Sequence, residues 1–156
     1  MGHANGVGAR LLRKEDDRFL RGKGQFIGDI SLDGTRDVAF VRSTVAHARL
    51  LGVQIPDAVR SSVFTAEDLT GVKPIRAVSP LPGFKPSEQP PLVTDKIRHV
   101  GELIAMCVAD TRAEAEDIAN QITVDYDALP VLCDPRDSAA SGAPAVDTRQ
   151  DRLHNL

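Results

Sequence analysis

The chain has 156 residues and a formal net charge of −3, with 42% hydrophobic and 26% charged residues. That is the size and composition of one globular domain, not of a disordered chain. No block of Lys and Arg is present, so the electrostatic footprint of a nucleic-acid binder is missing, and no apolar run approaches the roughly 20 residues needed to cross a bilayer.

Residues 1–24 read as a polar N-terminal arm. It has no apolar stretch of the secretory-signal kind, which makes the cytoplasm the expected compartment. A short helical turn is predicted around Glu15 to Leu20, broken by Gly22, Gly24 and Gly28. Lys23 between two glycines raises the idea of a phosphate loop. No Ser or Thr follows it at P-loop spacing and no apolar strand leads in, so the favoured reading is a turn feeding the first strand.

"DVAFVRST", residues 37–44, alternates Val38, Phe40 and Arg42 with Ala39, Val41 and Ser43, the period of a strand. "HARLLGVQI", residues 47–55, reads as a second strand with Leu51, Val53 and Ile55 on one face. The short connection suits antiparallel neighbours. Val63 and Phe64 make a short strand, and Thr65 with Asp68 has capping-box spacing for a brief helix ending at Gly71. Residues 73–93 hold Pro74, Pro80, Pro82, Pro86, Pro90 and Pro91, which predicts a long surface loop because proline has no ladder donor.

"ELIAMCVA" is a continuous apolar run, expected of a strand buried on both faces. Thr111 and Glu114 repeat the capping-box pattern. Ala115, Ile118, Ala119 and Ile122 follow at helical spacing, forming one packed face. "ITVDYD" resumes period two, with Val124 and Tyr126 on one face, and Pro130 and Pro135 close it. Residues 102–126 therefore read as strand, helix, strand, with a right-handed crossover if both strands share a sheet. The tail after 137 is small, polar and turn-rich. The class is α+β, with a mixed sheet, one main packed helix and an aliphatic core, since aromatics are only 4%, with no Trp and a single Tyr126.

His99 and Glu102 are the strongest chemical temptation, a histidine and a carboxylate flanking Gly101. On an extended chain, side chains three apart face opposite sides, whereas an acid/base pair must converge within hydrogen-bond reach. Glu102 is better read as a solvated or capping carboxylate at a strand edge. His47 reads as a surface or half-buried histidine bonded to backbone, with service to a partner subunit or substrate channel as the sharper alternative. His3 and His154 stand near the termini, and the four histidines show no metal spacing. Cys107 and Cys133 form no C-x-x-C motif and read as reduced structural thiols, a disulfide or reactive thiol being the alternative. Asp16, Asp17, Asp29, Asp33 and Asp37 make no calcium loop, and Ser61 and Ser62 lack a nucleophile elbow. No catalytic, cofactor-binding or metal residue is assigned.

Four segments, in order, carry a resemblance: "LLRKEDDRFLRGKGQFIGDISL", "AFVRSTVAHARLLGVQI", "VFTAEDLTGV" and "LVTDKIRHVGELIAMCVADTRAEAEDIANQITVDYDALPVLCDP". Over roughly residues 10–137 the chain resembles the N-terminal a/b hammerhead domain of molybdenum hydroxylase large subunits, the family of xanthine dehydrogenase, aldehyde oxidase and carbon monoxide dehydrogenase. It departs where the family usually has proline, at Thr44 and Leu103, and where it often has tyrosine, at His99.

The resemblance implies a hammerhead domain over 25–137 and a linker over 138–156 toward molybdopterin-binding domains. It places the catalytic glutamate and the cofactor loops in those later domains, so Glu102 does not correspond to the base. It implies no cofactor and no activity in this chain alone. The assembled oxidoreductase would hold molybdopterin, [2Fe-2S] clusters and FAD in partner domains and subunits, and would hydroxylate an aldehyde or N-heterocycle with oxygen from water. The alternative is a free-standing small-ligand or protein-interaction module of the same fold. Neither nucleic acid nor membrane is an expected partner.

Overall fold

A computed structural model describes residues 12–84 and 86–146. His3, His154, the start of the N-terminal arm and the end of the tail lie outside the described residues. The chain divides into two compact units, Met1–Thr35 and Arg36–Leu156.

In the first unit, helix α1 spans Asp16–Leu20, as the sequence predicts. Asp16 and Asp17 lie in its first turn, where carboxylates complement the helix dipole. Past it the chain doubles back, and the rings of Phe19 and Phe26 stack at 5.6 Å. A Cβ on Gly24 would lie 2.9 Å from the Phe19 ring. This glycine therefore serves a close packing approach, consistent with the turn reading.

The second unit holds β1 (Asp37–Arg42), β2 (Ala48–Gln54), β3 (Val63–Phe64), β4 (Ile75–Arg76), β5 (Glu88–Gln89), β6 (Lys96–Ile97) and β7 (Leu103–Ala109). Helix α2 (Arg112–Ala119), β8 (Thr123–Ala128) and the short α3 (Pro135–Ser138) complete it. The Thr111 hydroxyl accepts from Glu114 N–H and the Glu114 carboxylate accepts from Thr111 N–H, the expected capping box. Thr65 and Asp68 cap a shorter 3-10 turn, Ala66–Asp68.

Two three-stranded sheets form, in the orders β1-β7-β3 and β6-β2-β8, with a separate β4-β5 pair. Every pairing among the described strands is antiparallel. Two expectations are corrected by this. Strands β1 and β2, close in sequence, lie in different sheets, because each finds its partner far downstream: Asp37 opposite Ala109, Gln54 opposite Thr123. Strands β7 and β8 flank α2 as predicted but also enter different sheets, so no single mixed sheet and no same-sheet crossover is formed. The proline-rich loop also holds a small ladder, β4 with β5, which its prolines concealed.

Strand β7 explains how the layers stack. Ile104 points into one core cluster with Ala48, Val93 and Ile97, against the β2 sheet. Ala105 and Cys107 point the other way, into a cluster with Val63 that Ile118, Ala119 and Ile122 cover. The apolar run is thus buried on both faces, as its composition requires. Fully burying an Ile such as Ile104 contributes about 1.5–3 kcal/mol. On β2 a bulge between Leu50 and Gly52 resets the alternation. Leu50 and Val53 pack on the core while Leu51 is exposed, which corrects the predicted Leu51 face.

Candidate functional site

Three features could carry chemistry or binding: the turn into β7, the histidine after β1, and the cleft between two strand edges.

In the turn, Glu102 N–H donates to His99 O at 3.3 Å, and Gly101 has φ 84°, the left-handed backbone that a type II turn needs at its third position. Two bonds tie this turn to the end of β1: Gly101 N–H to Ser43 O at 2.8 Å and Ser43 N–H to Glu102 O at 2.9 Å. The turn folds the Glu102 side chain onto its own loop, where Oε2 accepts the Arg98 N–H at 2.5 Å. Glu102 is only 4% exposed, so it is a capping carboxylate and not a solvated one. His99 is exposed, its Nδ1 3.1 Å from Val100 O. The two side chains engage separate backbone groups and do not form an acid/base pair.

His47 is 5% exposed, more buried than expected, with the backbone bond that was expected. Its Nδ1 lies 2.6 Å from Pro130 O, so Nδ1 carries the proton and donates. Leu129 N–H donates to His47 O at 3.0 Å, so residue 47 holds the exit of β8 by side chain and main chain together. Its Nε2 is buried with no hydrogen-bond partner among the described residues.

Beside β1 lies a cleft of about 430 Å³. Five consecutive residues, Phe40 to Thr44, line it, so the strand presents its edge to the cleft. Thr123, Val124 and Tyr126 form the opposite wall, and Ile97 and Ile104 the apolar floor. Arg42 is the only charged residue along these walls. Its guanidinium sits 5.7 Å from the Phe40 ring centroid and donates from Nη1 to Gly101 O at 3.0 Å. The sequence reading missed this cleft. Its one signal was the run of outward Val38, Phe40 and Arg42.

Among the described residues no group of three or more His, Cys, Asp and Glu is placed to hold a metal ion. Cys107 is buried, and burial pushes its thiol up from the ordinary value, while Cys133 is exposed. A [2Fe-2S] cluster is held by four thiolates, and a chain with two cysteines so disposed does not fit one.

Fold and sequence together define the class. Residues 21–130 match the family model described as "Aldehyde oxidase and xanthine dehydrogenase, a/b hammerhead domain", and the chain belongs to that family. It is the hammerhead domain found in large subunits of molybdenum hydroxylases. The chain is similar to the nicotine 6-hydroxylase large subunit of Paenarthrobacter nicotinovorans, 34% identical over 154 residues, covering 96% of this chain and 19% of that subunit. It is also similar to the carbon monoxide dehydrogenase large chain of Hydrogenophaga pseudoflava, 32% identical over 145 residues, 90% of this chain and 18% of that one. Among solved structures, quinoline 2-oxidoreductase from Pseudomonas putida 86 superposes with a TM-score of 0.73 at 37% identity, over 82% of this chain and 17% of that chain. The chain thus spans about a fifth of the length of these relatives.

Proposed function

We propose that the chain is the non-catalytic hammerhead part of a molybdenum hydroxylase, a structural arm for a complex that hydroxylates an aldehyde or N-heterocycle with oxygen from water. The observation that carries this reading is the fate of Glu102. The one carboxylate beside a histidine at a strand entrance is committed to the Arg98 N–H inside its own turn. Molybdopterin, when bound in the other domains, supplies the oxygen-transfer chemistry. This chain contributes packing surface and a rigid two-sheet frame. Its partners are the molybdopterin-binding domains, an iron–sulfur subunit and an FAD subunit, in the cytoplasm. Among the described residues no helix is long and apolar enough to cross a membrane.

The test is co-purification from the native host with molybdenum, iron and flavin analysis of the complex and of the isolated chain. The expected result is one assembly holding all three, and an isolated chain holding none. A chain that purifies free, beside a fully active hydroxylase lacking it, would overturn the proposal and favour the free-standing module.

A further inference from the structure

The two sheets leave four strand edges, and they are not alike. Edge strands β3 and β6 are two residues long, and edge strands β1 and β8 are six. Short edges offer little template for pairing, whereas long ones must be blunted or covered. Strand β8 is blunted by the exposed carboxylates Asp125 and Asp127. Strand β1 is charged only at its ends, Asp37 and Arg42, with Val38 41% and Phe40 37% exposed between them. This less guarded edge lines the cleft together with β8 and the end of α2, Ala119 and Asn120.

We infer that this cleft receives an extended segment from the molybdopterin-binding part of the large subunit, which pairs with the open edge of β1 and sets an Asp or Glu against Arg42. This rests on the hammerhead reading above and names the surface through which it acts. Main-chain bonds along an open edge supply affinity without regard to sequence, and side chains at alternate positions supply selectivity. Here Ile97 and Ile104 in the floor, with Val124 in the facing wall, offer an apolar lining for one set of side chains. Arg42, the sole charge on the walls, sets the charge of the occupant. Among the described residues no carboxylate pairs with it, and its guanidinium donates to the Gly101 carbonyl. The relatives supply length enough, since about four fifths of each lies beyond the part this chain matches. A second copy of this chain is the poorer occupant. Its own β1 would enter already paired to β7, bringing a whole sheet into a cleft that β8 also lines.

The experiment is hydrogen–deuterium exchange on the isolated chain and on the complex purified with its molybdopterin-binding portion, for wild type and Arg42→Glu. Assembly is expected to slow the amides of residues 37–44 by at least about tenfold. Arg42→Glu is expected to weaken the complex by at least about tenfold, the loss of one desolvated charge pair, with the isolated chain still folded despite losing the bond to Gly101 O. A complex that forms with residues 37–44 exchanging as in the free chain overturns this inference and leaves the hammerhead reading standing. So does an Arg42→Glu complex as tight as wild type. Concentration-dependent protection of β1 in the isolated chain assigns the edge to a second copy and overturns it too. If no complex forms at all, both readings fall together.

Discussion

The Glu102 carboxylate caps the main chain of Arg98, four residues before it, across a turn whose Gly101 no other residue replaces without strain. A carboxylate held this way is an acceptor for the backbone and not a base for a substrate. Glu102→Gln keeps an acceptor oxygen and should leave turnover per cofactor-loaded complex largely intact. A true acid/base carboxylate contributes about 100- to 10,000-fold, so a fall of that size at unchanged cofactor content would place Glu102 in the active site. Glu102→Ala removes the acceptor and should cost about 1–3 kcal/mol in denaturant unfolding.

Ile118 packs against the Val63, Ala105 and Cys107 cluster from α2. Ile118→Asp should destabilise the domain by about 3 kcal/mol or more, because the charge enters an apolar layer. Glu116 is exposed and pairs with Arg112 on the other face. Glu116→Gln should melt with the wild type. Equal melting of Ile118→Asp and the wild type would show that another face of the helix carries the packing.

The Asp68 carboxyl is held below its ordinary value, first by the Thr65 main-chain N–H and then by Arg60, both at 2.8 Å. A depressed carboxyl favours the folded state above its unfolded value near 3.8, and that contribution fades as pH falls through the folded value. Wild type should therefore exceed Asp68→Asn in stability at pH 7, with the gap closing in acid. A gap that fails to narrow as pH falls below the unfolded value near 3.8 would contradict this cap.

Cys133 is exposed, while Cys107 is fully buried with its thiol pushed up by burial. A thiol reagent should label one cysteine in the native chain, Cys133, and both after unfolding. Peptide mapping of the label gives the answer, and native labelling of Cys107 would mean that β7 opens readily.

His47 should be the Nδ1–H tautomer, since its partner Pro130 O can only accept. Nitrogen chemical shifts of the imidazole read this directly. His47→Leu should cost about 1–3 kcal/mol by stranding that carbonyl. A Nε2–H spectrum would place the histidine outside the latch described for the β8 exit.

Local features were legible where the physics is local. The α1 turn, both capping-box spacings, the α2 face and the double burial of β7 all follow from composition and period within a few residues. Pairing was not legible, because it depends on residues far apart. Nothing around Val41 announces Ala105 as its neighbour, and the bulge at Leu50 moved the core face in a way that strict alternation cannot show. His47 was legible as a backbone-bonded histidine, but its burial follows from the distant β8 exit. The cleft stayed hidden for the same reason: an edge is recognised only once the sheet order is known.

That sheet order has a consequence for synthesis. The chain leaves the ribosome from its N-terminus, so β1 and β2 emerge well before the strands they pair with, β7 and β8. Of their partners, only the two-residue β6 appears sooner, and it comes after the whole proline-rich loop. The β1-β7-β3 layer cannot close until residue 109 is out and the β6-β2-β8 layer until residue 128, and such distant contacts make closure slow. Until then Val38, Phe40 and Val41 remain available to any passing strand. A nascent-chain series should stay protease-sensitive until residue 128 clears the exit tunnel, then become resistant in one step.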